Sequence, residues 1–404
     1  MMEKEICLAT AFGALRAGAA AVEVTPRPGA WLAGFARNRP ATSALDPLWA
    51  RALAFAVGEV AVVMVVVDCL GLLADDCDRI AAGLPLPREQ VIVAATHTHS
   101  GPDTIGLWGP DQQTRGVDQA VLEAIIAGAR QAAAQAVAEL RPARLALAGV
   151  AAPARCAVNV REPGSIDQEV SLMRFCHRDG RGLATLINWG CHPEVLRSGN
   201  QAYSSDLAHS LRQRVEESLG GTAIFANGAL GAMVTADAAE DTVEEARRIG
   251  SAVADEAVAA LAREGEGADW LTLNLHSEPL ALAVEAERLR EALGTGLVAR
   301  ELTSDGELRT RMTALTLGNA TLITCPGEPQ PRVGRRWKRL MQRPYRFLIS
   351  VCQDEVGYIL DREDYGTQRY RYESGMTPGP DTARSAEHTS ELQPHLNLVC
   401  RLLL

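Results

Sequence analysis

The chain has 404 residues, 47% of them hydrophobic and 22% charged, with a formal net charge of −10. That length builds one large or two ordinary domains, and the composition is that of an ordinary soluble globular protein. The acidic balance argues against a nucleic-acid partner, which would need clustered Lys and Arg; the one basic run, Arg332 to Arg343, reads as a solvated helix face.

In chain order, residues 17–24 form a short strand, followed by a Pro/Gly-rich loop up to Trp49 that is long for a compact domain and so suggests a functional role. Residues 51–67 read as a strand hairpin turning at Gly58-Glu59 and ending at Asp68. A helix at 74–83 precedes a strand at 91–96, which runs into HTHSGP. Residues 117–140 are Ala-rich, with apolar residues at three- and four-residue spacing, and predict an amphipathic helix. Strands follow at 143–151, 169–176 and 183–190, the last ending in CHPE. A helix at 205–219, a strand at 222–226 and an acidic helix at 239–264 come next. Residues 270–277 alternate like a half-exposed strand, 281–294 predict a helix, 311–325 strands, 332–342 a helix and 346–352 a late strand. A Tyr-rich segment covers 358–372. Strands and helices interleave throughout, which predicts an α/β class: mixed sheets flanked by helices, one continuous catalytic domain over 16–382, and a site at strand ends.

Residues 383–404 share no pattern with what precedes them. RSAEHTSELQ resembles the translated read-through of a sequencing adapter, so this stretch is expected to be a non-native tail, and His388, His395 and Cys400 are left out of the site. The nine cysteines include no CxxC pair, which argues against a cysteine zinc site, and their odd number fits a reducing compartment. The N-terminus lacks the basic and apolar regions of a signal peptide. Glu59 and Asp68 interrupt the one stretch long enough to span a bilayer. The expectation is a cytoplasmic protein without an integral membrane segment.

Five stretches share one pattern, an apolar run broken by a polar residue: VAVVMVVV into Asp68, VIVAAT into His97 and His99, LATLINWGC into His192, TAIFA into Asn227, and ATLITCPG into Glu328. Buried strands read as continuous apolar runs, and ligands of open α/β sheets sit beyond strand ends. In an extended chain, residues two apart share a side, so His97 and His99 can face one cavity. A lone HxH pair, a lone His before Pro193 or a lone Glu beside Gly327 is weak evidence. Their repetition at strand ends points to a metal, and two imidazoles with a carboxylate suit zinc with an open position. Such a site makes hydroxide available near neutral pH, which attacks a carbonyl.

At these residues the chain resembles the neutral (non-lysosomal) ceramidase family. The matching pieces run in order from AGAAAVEVTPRPG through LDPLWARAL, VVVDCLGL, ATHTHSGP, the Asn159-Val160-Arg161 turn, IDQEVSLMRF, CHPE, SSDLAHSLRQRVE, FANGALG, CPGEPQPRVGRR and GYILDREDYGTQRYRYE to TPGP. The resemblance implies a single catalytic zinc held by His97, His192, Glu328 and Tyr358, with His99 and Arg161 contacting substrate and developing charge. It implies a further active-site tyrosine, matched by Tyr370 or Tyr372, with Tyr370 taken. Asp68 receives no ligand role; a place behind a ligand imidazole, orienting it, suits it.

Two departures bear on the substrate. The family's Gly-Asp-x-Ser turn reads Gly231-Ala232-Met233-Val234 here, with Thr235 adjacent, and no counterpart of the family's C-terminal immunoglobulin-like domain is expected in this chain. The implied activity is zinc-dependent hydrolysis of an N-acyl bond in a small-molecule or lipid-like substrate. An ester or phosphoester, or a non-catalytic zinc-retaining protein, stays open as the alternative.

Overall fold

The computed structural model describes residues 7–264 and 267–391. Twelve strands make one large mixed sheet: β1 (Cys7–Glu23), β2 (Trp49–Val57), β3 (Val60–Val67), β4 (Val91–Ala95), β5 (Arg141–Ala151), β6 (Glu169–His177), β7 (Gly182–Trp189), β8 (Thr222–Asn227), β9 (Trp270–Ala283), β10 (Glu307–Leu317), β11 (Ala320–Thr324) and β12 (Tyr345–Ile349). The main path runs β8-β7-β6-β5-β1-β9-β10-β11-β12, and β2, β3 and β4 extend from β1 as a branch. Strand β1 is the junction. Its first half, Cys7–Ala14, pairs with β9, and its second half, Leu15–Glu23, pairs with β2.

The helices are α1 (Ala74–Ala81), α2 (Gln119–Ala138), α3 (Leu207–Leu219), α4 (Val243–Arg263), α5 (Glu287–Gly294), α6 (Pro331–Leu340), α7 (Arg371–Gly375) and α8 (Thr382–Glu391). Asp118 caps α2 by accepting the Ala120 N–H at 2.9 Å, and Thr242 caps α4. The continuous apolar character of β3 follows from burial on both faces. Val63, Val65 and Val67 pack towards α1 and α2, while Val62, Met64 and Val66 enter a second core with Phe175, Leu186, Leu273 and Phe347. A third core lies between β6–β8 and helices α3 and α4.

Three strand pairs are parallel: β3 with β4, β7 with β8, and β11 with β12. Parallel neighbours need a crossover, and α1, α3 and α6 lie within these three. All other strand pairs of the large sheet are antiparallel. The result is the mixed α/β architecture expected from the interleaved elements.

Several boundaries differ from expectation. Strand β1 starts ten residues before residue 17, because β9 offers a partner along that length. Strand β9 runs on to Ala283 and takes the first residues of the helix expected at 281–294. Here Leu282 is buried while Ala281 and Ala283 are exposed, the period of a strand, and β10 pairs alongside. The basic run on α6 is not a solvated face. Arg332 pairs with Glu162 and Asp364, Arg336 with Asp361 and Glu387, and the buried Lys338 with Asp167 at 2.7 Å. In the expected tail, Ala383 and Ala386 of α8 pack into a core with Trp337 and Met312. Residues 392–404, including His395 and Cys400, lie outside the described residues.

Asp68 does not orient a ligand imidazole. Its two oxygens accept Nη1 and Nη2 of Arg212, each at 2.8 Å, and Oδ2 also accepts the Trp49 N–H. Both partners are buried, so the pair ties the end of β3 to α3. Breaking a buried pair from one side strands the other charge, at a cost of about 3–5 kcal/mol. Arg212→Met is therefore expected to lower the unfolding free energy by about that amount, read from the denaturant midpoint at unchanged slope.

Candidate metal centre

The three parallel pairs deliver their C-terminal ends to one place. Strand β4 leads to His97 and His99, β7 to His192, and β11 to Glu328. The side-chain amide of Asn227, the last residue of β8, fastens the loops together. Its Nδ2 donates to Thr96 O at 2.9 Å, and its Oδ1 accepts the Cys191 N–H at 3.0 Å. Its backbone carbonyl accepts the Ser350 N–H at 2.9 Å, which joins the end of β12 to the same point. A further clasp runs from the His99 N–H to Pro193 O at 3.1 Å.

His97, His99 and His192 form a buried trio. Ring centroids are 5.0 Å apart for His97–His192, 5.1 Å for His97–His99 and 5.4 Å for His99–His192. One potential ligand atom from each falls within 4.8 Å of the others. His97 takes φ 65°, a left-handed conformation that costs a β-carbon residue about 1–3 kcal/mol and is characteristic of functional positions. Nδ1 of His97 lies 2.7 Å from Leu70 O, and Nδ1 of His192 lies 2.7 Å from Val234 O. A carbonyl only accepts, so both Nδ1 atoms carry the proton and both neutral rings present a lone pair at Nε2. Those lone pairs face Glu328: His97 Nε2 is 3.6 Å from Oε1 and His192 Nε2 is 3.2 Å from Oε2. Glu328 Oε2 is buried without a hydrogen-bond partner. Lone pairs beside a buried carboxylate make a set of donors that could hold a divalent metal.

Burial pushes the imidazole of His97 down to about 3 and that of His99 well below its ordinary value. His192 goes the other way: burial lowers it, but the nearby carboxylates of Glu328 and Glu194 outweigh that and raise it. Neither ring nitrogen of His99 has a hydrogen-bond partner, although Nδ1 stands 3.2 Å from Glu194 Oε2. Phe35 meets the His99 ring edge-on, and Gly34 lies against it.

A cavity of about 900 Å³ opens onto His97 and His99. Its wall includes His97, His99, Glu328, Glu355, Tyr358 and Tyr372. Its apolar side comes from Ile105, Leu107, Leu289, Leu297 and Val298. Tyr358 sits opposite Glu328 in a two-residue parallel ladder. Burial, with the charge of Glu328 second, pushes its phenol well up, which keeps the O–H. The same two causes push the Glu355 carboxyl well up.

Tyr370 and Arg161 are placed differently from expectation. Tyr370 is fully buried, its hydroxyl 3.3 Å from Glu162 Oε2, and it does not line the cavity. Tyr372 does, 6.0 Å from Tyr358. Two residues at a helix start are about 200° apart around the axis, so they face opposite ways. Arg161 lies outside the cavity lining, and its Nε donates at 2.7 Å to Glu373, which is fully buried. Val234, at the family's Ser position, is buried and supplies the carbonyl that His192 uses; Thr235 Oγ1 is enclosed without a partner. Sequence reasoning gave no role to Glu194 or Glu355, since a lone Glu in a loop carries no distinguishing signal.

Two outcomes follow. A Cβ on Gly34 would lie 2.3 Å from His99 Cγ, and its φ of 95° already disfavours a side chain. Gly34→Ala is expected to displace the His99 ring and lower metal affinity or turnover by about 10–100-fold, as losing an orienting group does, read by metal titration and rate. For His97, the unfolded chain takes up its proton near 6.5 and the folded chain near 3. The unfolded state therefore binds more protons in that window, and stability falls as pH drops through it. His99 acts in the same sense, and His192 offsets part of the effect. The melting temperature is expected to fall on acidification from pH 6.5, with a shallower fall in His97→Gln.

No protein-family model matches the sequence, and no curated protein matches it. Solved structures do match in fold, the following two among them. The neutral ceramidase from Pseudomonas aeruginosa is 17% identical with a TM-score of 0.77, over 94% of this chain and 74% of that one. A structure described as ceramidase complexed with C2 is 18% identical with a TM-score of 0.75, over 95% of this chain and 75% of that one. The chain has the neutral ceramidase fold.

Proposed function

We propose that the protein is a zinc-dependent hydrolase that cleaves an N-acyl amide bond. The observation that carries this is the pair of imidazoles fixed as Nδ1–H tautomers, with both Nε2 lone pairs turned to the unpartnered carboxylate of Glu328. The amide preference is supported by the fold shared with two ceramidases. His97, His192 and Glu328 would hold the ion, with Tyr358 across the ladder as the fourth donor that the resemblance implies. When bound there, zinc brings the ionisation of water to near pH 7 and polarises a carbonyl.

The chain's own residues supply the rest. His99 is neutral because of its burial, and its nitrogens are uncommitted, so it can take a proton and pass it to the leaving nitrogen. Tyr372, on the cavity wall beside Tyr358, offers an O–H to the developing oxyanion. Arg161 acts one step back. Its bond to Glu373 holds α7, and so Tyr372, in position. The apolar side of the cavity accommodates an acyl chain. The substrate is a small molecule or a lipid-like N-acyl compound; no helix among the described residues is long and apolar enough to cross a membrane. We place the protein in the cytoplasm, on the cysteine usage, since the described cysteines are free.

Chelation is expected to abolish hydrolysis of N-acyl amides, and added zinc to restore it. His97→Ala should lose both metal and activity. His99→Ala should keep about one zinc per chain and lose activity by about 10²–10⁴-fold; loss of the metal instead would make His99 a ligand. Full activity in a metal-free preparation, or turnover of phosphoesters alone in a panel of amides, esters and phosphoesters, would overturn the assignment.

A further inference from the structure

The first half of β1 has a strand partner on one side only. Cys7–Ala14 pairs with β9 in an unbroken antiparallel register, from Cys7 opposite Ser277 to Ala14 opposite Trp270. The pairings of β1 with β2 and β5 lie within Leu15–Glu23. The Leu15 N–H donates at 2.8 Å to the carbonyl of Asp269, the residue before β9. Backbone groups of successive residues alternate in direction along a strand, so Leu8, Thr10, Phe12 and Ala14 aim their N–H and C=O groups at the opposite edge. There they meet no backbone partner among the described residues. The side chains of these four residues are exposed as well. Leu8 is 61% and Phe12 68% exposed, and Trp270 beside them on β9 is 59% exposed. The rings of Phe12 and Trp270 meet edge-on at 5.8 Å. The alternate residues Ala9 and Ala11 pack into the core, which fixes the outward stripe. Further along the strand, Ala20 and Val22 are covered by the core that α2 closes.

We propose that this edge is an interface for a second copy of the chain, the two β1 strands pairing antiparallel about a two-fold axis. Edge strands that stay single are blunted by Lys, by Pro or by a bulge. Here Leu8–Ala14 carries no charge and no Pro, and its register with β9 has no bulge. An open edge takes a strand, and a two-fold contact takes a segment that fits itself. With Thr10 on the axis, Leu8 of each copy stands opposite Phe12 of the other. The outward N–H and C=O groups then find partners, and two aliphatic–aromatic cross-strand pairs form between the copies. No like charges meet within the paired stretch, and the repulsion between two copies of net charge −10 is screened over larger distances at ordinary salt. None of these residues lines the cavity, so the contact is independent of the hydrolase reading.

The test is the oligomeric state of the full-length protein, followed by sedimentation velocity and light scattering from submicromolar to hundreds of micromolar. The mass is expected to rise with concentration to twice that of one chain. Phe12→Lys sets a charge at the pairing edge, and Thr10→Pro removes the N–H on the axis while leaving the ladder with β9. Each should weaken association by about tenfold or more. The melting temperature of the unmodified protein should rise with its concentration, and that of both variants should rise less. At the lowest concentration the unmodified protein and Phe12→Lys should melt alike, which separates loss of the contact from loss of the fold. A monomer throughout the range overturns the proposal. If that monomer also co-sediments with phosphatidylcholine vesicles while Phe12→Lys does not, the stripe serves a lipid surface instead. A dimer of unchanged strength in both variants overturns it too, by placing the contact on another surface.

Discussion

One buried amide holds the site together. Asn227 reaches the loop after β4 through Thr96 O, the loop after β7 through the Cys191 N–H, and the end of β12 through the Ser350 N–H. Each contact is a hydrogen bond worth about 1 kcal/mol net, but leaving such groups unpaired in the interior costs about 1–3 kcal/mol apiece. The three parallel units are stitched by separate helices and have no sequence proximity. Asn227 is where their ends are set against one another, and the spacing of His97 from His192 depends on it.

The imidazoles are then oriented without carboxylates behind them. Backbone carbonyls of Leu70 and Val234 take the Nδ1 protons. This frees Asp68 for Arg212, and it makes the ligand tautomers a property of main-chain geometry. The strain at His97 is part of the same arrangement, since its left-handed backbone turns the ring inward directly after a buried strand. The carboxylate of Glu328 completes the ring from the third unit, and the ladder with Tyr358 brings a phenol alongside it.

Much of this was legible in the sequence because strand ends announce themselves. A run buried on both faces is apolar throughout, so the polar residue that stops it stands out; the fold brings the four residues picked out in this way, His97, His99, His192 and Glu328, into one neighbourhood. Tyr358 was not so picked out, since its strand is two residues long and has no apolar run before it; only the family resemblance supplied it. The choice between Tyr370 and Tyr372 turned on helical phase over a five-residue helix, which spacing alone does not fix. The N-terminal half of β1 was missed because its partner, β9, lies more than 250 residues away in the chain. The charges of α6 read as solvated because their partners lie on other segments, as do Asp167 and Glu162.

The candidate metal centre and the apolar cavity wall come from different parts of the molecule. The centre grows from the ends of β4, β7 and β11, whereas much of the apolar wall comes from α5 and the residues that follow it, Leu289 to Val298. The two are therefore separable in this architecture. Exchange of that stretch would reshape the cavity while the imidazole cluster stays as it is, which makes the scaffold a modular one.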